Sequence, residues 1–586
     1  MKKTIYTLLG LLLAAGLTSC QDWFIEKPEV TGMDQDEVFS TAKNAEGAIA
    51  EAYATILSSG LPVLVWNNSP IMPYETTEAI MGGEDLCRLT WGYMDKQVVA
   101  GMLANNENNG AGYTDDYFPN NYAYIRKAWL VYENIDKVAD MSDRDKAIVK
   151  AEMQVLVAFR YVEMLKRYGG VPLVESTLTT VDVRPRSTVQ QTLDFIVGLC
   201  DAAAEGVRWP ADWLGRVNKG VALAVKAEAL MYAARPLFNA DAPYMQMADP
   251  ANNEMIWLGG YDAKRWETAR LANQEVIDWG KANGFELIDT GDPIKDYGTA
   301  VGTPSNREVL LAYKQQREAD DNGIYKNYTF MPTHTGHDLG QYRGTGYGQL
   351  CQYRKADGTD QTWAGVDDWR PAGEYRDKAE ELEPRAQASL YFYGVNPKNN
   401  TGNSRWDLYQ NWQLEYKWQD GCAKNIKFWY EAGSREWFEF PIYRMAEFYL
   451  NIAEAYNEEG NPTMALRYLN DIRRRGGIPD ETQTDRVGLR RSIHREWAVE
   501  FYVENQWYPH ARHWKQGASM VGGAKYKFEF SQAAGVSWNP RKPEEFANYT
   551  RKPSYVPEYT WHERMSLSPF TLSEVNKGYL VQNPGY

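Results

Sequence analysis

Two stretches of the sequence gather side chains that could hold a ligand. The first runs Trp66-Asn67-Asn68, then Glu84-Asp85, Arg88, Trp91 and Tyr93, with Tyr113 beyond. The second holds Tyr328, Tyr342, Arg343, Tyr347, Trp363, Asp368, Trp369 and Arg370. Indole and phenol rings offer flat apolar faces. Amide, carboxylate and guanidinium groups beside them hydrogen-bond hydroxyls. The combination suits a ligand with apolar faces and hydroxyl edges, as sugar rings have. Composition points the same way, with 21 Trp and 39 Tyr against 18 Phe. No motif fixes the individual residues, and an aromatic ring beneath a loop also serves as plain packing. Trp129, Trp266, Trp497 and Trp507 fall in helical patterns and are expected in the core or at helix contacts.

Other chemistry is weaker. His334 and His337 are three apart, but Gly336 disfavours a helix there and no third ligand is evident. His510 and His513 have the same spacing and the same weakness. The carboxylates of Asp357-Gly358-Thr359-Asp360 could meet Ca²⁺, though a tight turn accounts for them. No metal and no cofactor is expected. Asp367-Asp368, Glu380-Glu381 and Glu383 could supply the two acids of a glycosidase. Sequence neighbours rarely face each other across a ligand, however. No G-x-S-x-G, H-E-x-x-H or Walker A pattern occurs, so the expectation is binding without catalysis.

The chain has 586 residues and a formal charge of −15, from 63 basic and 78 acidic side chains. An acidic chain without a basic tract is a poor partner for nucleic acid, which is bound by neutralising phosphates. Hydrophobic residues at 44% and charged residues at 24% exclude wholesale disorder. Met1-Lys2-Lys3 followed by apolar Ile5 to Leu17 reads as a secretory signal peptide over residues 1–19. Leu17-Thr18-Ser19-Cys20 resembles the lipobox of bacterial lipoproteins, which makes Cys20 the expected lipidation site. Of the other cysteines, Cys87, Cys200, Cys351 and Cys422, Cys200 sits in an apolar helical pattern and is expected to be buried.

Helical periodicity dominates the elements that must position these residues. Helices are expected over Asp36–Leu57, Tyr122–Ala139, Asp143–Tyr168, Val189–Ala204, Lys219–Arg235 and Trp266–Gly280. Ser142 is a natural N-cap for the third, and Gly169-Gly170 a natural stop. The helical period fades between 285 and 435, where Arg307–Tyr313 is the best strand candidate. Tyr443 to Gly476 then reads as two antiparallel helices broken at Gly460-Asn461-Pro462, a tetratricopeptide-type pair. Such a pair cannot bury its apolar face alone, and the earlier helices supply neighbours. Arg490–Glu504 is a further helix, and 516–586 reads as irregular. The fold class is mainly α: a helix-pair scaffold of about four pairs (36–57, 122–280 and 436–515). Loop-rich ligand-binding regions over about 58–120 and 285–435 carry short strands.

The whole chain resembles the SusD/RagB family. The resemblance rests on the lipobox, Phe159-Arg160-Tyr161 running to Tyr168-Gly169-Gly170-Val171-Pro172, Ala222 through Phe238, Asn306-Arg307-Glu308-Val309 and Glu383-Pro384-Arg385. Its strongest part is Tyr443-Arg444-Met445-Ala446-Glu447 through Ala453-Glu454-Ala455 to Leu469-Asn470-Asp471-Ile472-Arg473. Arg495-Glu496, Glu500-Phe501, Trp514 and the terminal Gln582-Asn583-Pro584-Gly585-Tyr586 follow suit. His510-Ala511-Arg512-His513 and Ser568-Pro569-Phe570 depart from the family's usual residues. The resemblance implies a SusD-like fold over 20–586, lipid-anchored in the outer membrane of a Gram-negative bacterium and facing outward. It implies a partner, a SusC-like TonB-dependent transporter, and a captured nutrient, usually a glycan. An oligopeptide is the alternative ligand.

Overall fold

The computed structural model describes residues 34–58, 118–178, 183–208, 215–316, 344–393, 395, 421–425, 427, 437–504, 506–536 and 543–586. The scaffold is built from helices α1 (Ala42–Ser58), α2 (Phe118–Asn134), α3 (Asp143–Tyr168), α4 (Val189–Ala203), α5 (Lys219–Ala234), α6 (Lys264–Ala282), α7 (Met445–Glu458), α8 (Pro462–Arg475) and α9 (Arg486–Glu500). They pack in sequence as α1/α2, α3/α4, α5/α6 and α7/α8, and each pair also touches the next. Four pairs thus make one continuous run, as the sequence led one to expect, with α9 packed against α7 and α8. The small residues of α5 explain its close packing: Ala222, Ala224, Ala227, Ala229 and Ala233 are all buried. Trp129, Trp266 and Trp497 are buried, and Trp507 packs against the core that holds Trp129 and Trp497.

Local chemistry sets the helix ends. The Ser142 side chain accepts from the Asp145 N–H, and Gly169 closes α3 at a φ of 78°. Asn461 accepts from the Met464 N–H, with Pro462 in the first turn. Several expected boundaries differ: α2 runs Phe118–Asn134 rather than 122–139, with a 3-10 turn at Ile135–Lys137, and α6 runs Lys264–Ala282 rather than 266–280. The Asp36–Leu57 helix is broken into a single turn, Gln35–Val38, and α1. The break is held by the Thr41 hydroxyl, which accepts from the Asn44 N–H at 3.3 Å, and by Asp140, which accepts from the Ala42 N–H at 2.7 Å. Helix α9 starts at 486 rather than 490, because Asp485 caps it through the Gly488 N–H. It stops at 500 rather than 504, ahead of Val503, which has a φ of 54°.

Eight strands lie among the described residues: β1 (Val309–Gln316), β2 (Gly344–Thr345), β3 (Arg370–Pro371), β4 (Leu390–Tyr391), β5 (Ala423–Asn425), β6 (Trp437–Arg444), β7 (Gly523–Gln532) and β8 (Phe546–Tyr559). They form three small antiparallel sheets: β1–β6, β2–β5–β4 and β3–β8–β7. The expected strand near 307–313 is β1. Two expectations are corrected. The stretch 285–435 contains helices Pro293–Gly302, Ala372–Glu380 and Pro384–Ser389. They are too short for a periodicity search, though Asp292 caps the first and Pro293 opens it. The segment 516–586, expected to be irregular, holds the longest strand pair, β7–β8. Its signal is the alternation in Lys525-Tyr526-Lys527-Phe528-Glu529-Phe530, which has a period of two.

Two large hydrophobic cores result among the described residues, with a small satellite around Trp266. One lies within the helix pairs. The other gathers Tyr375, Tyr391, Phe392, Phe528, Phe530 and Tyr549 beneath the strands. Between the two runs a buried charge network. Five cations, Arg385, Lys427, Arg444, Arg473 and Arg475, face five carboxylates, Glu308, Glu383, Glu496, Glu500 and Glu504, all buried. Arg444 reaches Glu308 at 3.0 Å, Glu500 at 2.6 Å and Glu504 at 2.7 Å. Arg385 reaches Glu383 at 2.6 Å and Glu500 at 3.1 Å, and also pairs with Glu496. Arg475 joins Glu308 at 2.9 Å and pairs with Glu500. Burial alone would raise the Glu500 carboxyl, but Arg475, Arg444 and Arg385 hold it well below the ordinary value. Burial pulls the Lys427 ammonium down to about 8 against the attraction of Glu504. Because Arg385 and Glu383 come from the strand-bearing region and Glu496 and Glu500 from α9, the network fixes one region on the other.

Candidate functional site

The hairpin β7–β8 carries the site described here. Its inward row, Phe528, Phe530 and Tyr549, packs on Tyr375 with ring centroids 5.0–5.7 Å apart. Successive strand residues point to opposite faces, so the next inward positions toward solvent are Tyr526 and Arg551. There the one-turn helix Tyr347–Leu350 brings Tyr347 against the row, 5.9 Å from Phe528 and 6.4 Å from Tyr526. The Arg551 guanidinium lies 4.6 Å from the Tyr347 ring centre and 5.1 Å from that of Tyr526. Both contacts are within cation–π range. The Arg551 Nε is buried and has no hydrogen-bond partner.

A second strip of chain runs alongside. Val366 bridges Arg551, whose N–H donates to the Gly365 carbonyl at 3.2 Å. Asp367 then takes a φ of 59°, and Arg370 pairs with Tyr549 in the β3–β8 ladder. The turn leaves Val366 and Trp369 each 44% exposed. Arg370 Nε donates to Asp368 at 3.0 Å, and Lys552 pairs with Asp367. The strip along β8 thus carries an exposed indole and two ready-made cation–carboxylate pairs, and the hairpin it pairs with carries the tyrosine–arginine–tyrosine cluster. Flat faces can take sugar C–H groups, and the charged pairs can donate to and accept from hydroxyls.

Of the residues put forward from sequence, Tyr347 and Trp363 pack against this one hairpin, and Trp369 and Arg370 lie on the strip that pairs with it. Trp363 is the least plate-like. It is half-buried, 5.6 Å from Phe528 and 5.9 Å from Tyr375, with Nε1 in the interior and without a hydrogen-bond partner. Trp66, Asn67, Asn68, Asp85, Arg88, Trp91, Tyr93, Tyr328, Tyr342 and Cys20 lie outside the described residues. So do His334 and His337. Tyr526 and Arg551 were missed, although the period-two alternation of β7 could have found the first.

The other candidates resolve into structural roles. The Asp357 carboxylate accepts from both the N–H and the hydroxyl of Thr359, the expected turn. Asp360 pairs with Arg495 at 2.6 Å. Glu383 is buried on Arg385. His510 and His513 are buried in the scaffold, where burial first, and then Arg235 and Lys166 among their neighbours, pushes both imidazoles well below their ordinary value. Among the described residues Cys200, Cys351 and Cys422 form no disulfide with one another. Among the described residues no group of three or more metal-ligating side chains forms, and no helix is long and apolar enough to cross a membrane.

Comparison with known proteins gives a consistent answer. A SusD family model matches residues 307–586, and a model described as starch-binding and associating with the outer membrane matches residues 90–228. Together they take in well over half of the chain. A search of curated proteins finds no match. Among solved structures, a SusD-like protein from Bacteroides fragilis is 23% identical with a TM-score of 0.68, covering 94% of this chain and 98% of its own. A SusD-like carbohydrate-binding protein from the same species is 16% identical with a TM-score of 0.64, over 93% and 99% of the two chains. Surface glycan-binding protein A from Bacteroides uniformis is 16% identical with a TM-score of 0.55, over 93% and 99%. At these identities the structures show a shared fold, and with the two family models they place the chain in the SusD/RagB family.

Proposed function

We propose that this chain is a cell-surface lipoprotein that captures a glycan on the β7–β8 platform without cleaving it. It then passes the glycan to a SusC-like TonB-dependent transporter. The observation that carries the reading is the surface built on the hairpin: the Tyr347–Arg551–Tyr526 cluster at its end, and exposed Trp369 on the strip of chain that pairs with β8, with the Arg370–Asp368 ion pair on that strip and the Lys552–Asp367 pair joining it to β8. Binding without cleavage is supported by the state of the carboxylates. Asp367, Asp368 and Glu383 are each held by a cation, whereas a glycosidase needs two acids free to face one bond. The lipobox at Cys20 supports anchoring, and the names of the solved relatives support a carbohydrate ligand. An open platform buries little of each sugar, which favours release to a transporter over tight retention.

The test is a polysaccharide and oligopeptide panel on the purified chain, followed by product analysis of whichever glycan binds. Binding to one polysaccharide class with no shortened product is expected. A peptide signal without a glycan signal, or turnover lost in a single carboxylate variant, would overturn the reading.

A further inference from the structure

Resting on the glycan reading above, we infer that the chain takes an acidic glycan, and that a uronic acid carboxylate is held at the Tyr347–Arg551–Tyr526 cluster.

The charges of this surface are unevenly matched. Arg370 Nε lies 3.0 Å from Asp368, and Lys552 pairs with Asp367. Both cations are neutralised within the protein. Arg551 is different: among the described residues its guanidinium makes no ion pair with a carboxylate. Its Nε is buried and has no hydrogen-bond partner either. Its neighbours are two phenol rings, with centres 4.6 Å away for Tyr347 and 5.1 Å away for Tyr526. Ring faces attract a cation through their quadrupole but carry no net charge. Nor does the Tyr347 hydroxyl supply one. Burial first, then Cys351, pushes it up to about 12, so it keeps its proton at neutral pH. Tyr347, Tyr526 and Arg551 are all partly exposed. One uncompensated positive charge thus stands at the surface against two aromatic rings.

A hexuronate offers what this cluster lacks. Its pyranose ring has the apolar C–H face that a phenol ring takes. Its carboxylate is planar, the shape that a guanidinium fork matches. A neutral hexose has a hydroxymethyl group at the same place and leaves the charge of Arg551 unmatched. The overall charge of −15 does not oppose the approach, because at physiological ionic strength exposed charges more than about 8 Å away are largely screened.

The probes are polygalacturonate, alginate and hyaluronate, each beside its esterified form, with starch, galactan and galactomannan as neutral glycans. All are titrated calorimetrically into the purified chain. At least one acidic polysaccharide is expected to bind about tenfold or more tightly than its ester, the scale of one charge-assisted hydrogen bond. That comparison uses the parent protein alone, so it does not depend on the folding of a variant. Arg551→Gln should bring acid and ester to the same affinity. Trp369→Ala should weaken both and keep their ratio. Binding of a neutral glycan alone, equal affinity for acid and ester, or an Arg551→Gln variant that keeps the parent's preference would each overturn the inference and leave the glycan reading standing. No glycan binding of either kind would overturn both.

Discussion

The helix pairs and the strand-bearing region bury their residues by different rules. In the scaffold, side chains three and four apart face the core, and several of the largest buried groups are charged. Arg160, Arg235, Arg444 and Arg475 are all under 2% exposed. Arg235 is held by Glu454 at 2.9 Å, as part of a network that runs through α5 and α7. In the strand region, side chains two apart face the core, and the buried row is aromatic until it reaches water at Tyr526 and Arg551. A charged scaffold core demands fixed partners, since an unpaired buried charge is costly. An aromatic strand row can run from core to surface without change of chemistry. That difference puts rigidity in one region and a ligand face at the edge of the other.

Breaking the junction between them should have the largest effect. Arg444→Gln leaves Glu308, Glu500 and Glu504 short of a cation, and a loss of about 3–5 kcal/mol is expected in denaturant unfolding. If the network couples the two regions, the variant should also lose the coincidence of helix and aromatic unfolding signals. Arg385 tests the same joint from the other side through Gly476. A Cβ at Gly476 would stand 2.7 Å from Arg385 Nε, and that side chain is pinned by Glu383 and Glu496. Gly476→Ala should therefore cost about 1–3 kcal/mol by overpacking.

A smaller and opposite effect is expected inside the scaffold. Glu447 is buried and its Oε2 has no hydrogen-bond partner. Burial first, and Glu228 second, raise its carboxyl well above the ordinary value of 4.5. Its folded form holds a proton that the unfolded chain has released, so the parent protein pays for this group as pH rises above 4.5. Glu447→Gln should match the parent at pH 4.5 and gain stability progressively above it. A variant that loses stability as pH rises would show that the carboxylate is charged and needed.

How much of this was legible in the sequence follows from the same contrast. A 26-residue helix such as α3 repeats its apolar spacing many times, and Ser142 and Gly169 mark its ends. The pair α7/α8 is marked by Asn461-Pro462 in the same way. Helices of six to ten residues, such as Pro384–Ser389 and Pro293–Gly302, repeat too few turns to show a period. Of the site, Trp369 and Arg370 were legible from residue type alone. Arg551 was not, because its place is fixed by cross-strand register with Phe528, a pairing between residues far apart in the chain. The charge network was invisible for the same reason. Arg385, Glu500 and Glu308 stand in the motifs that carry the family resemblance, but nothing in the sequence shows that they pair until the fold brings them together.

The most direct test of the account is a calorimetric titration of the glycan found by the panel against the parent chain and Trp369→Ala. Trp369 is 44% exposed, so its removal should leave stability within about 0.5 kcal/mol. Affinity for the glycan should fall about tenfold or more, with a comparable loss in Arg551→Ala. Unchanged affinity in both variants would place the ligand away from the β7–β8 platform and contradict the account.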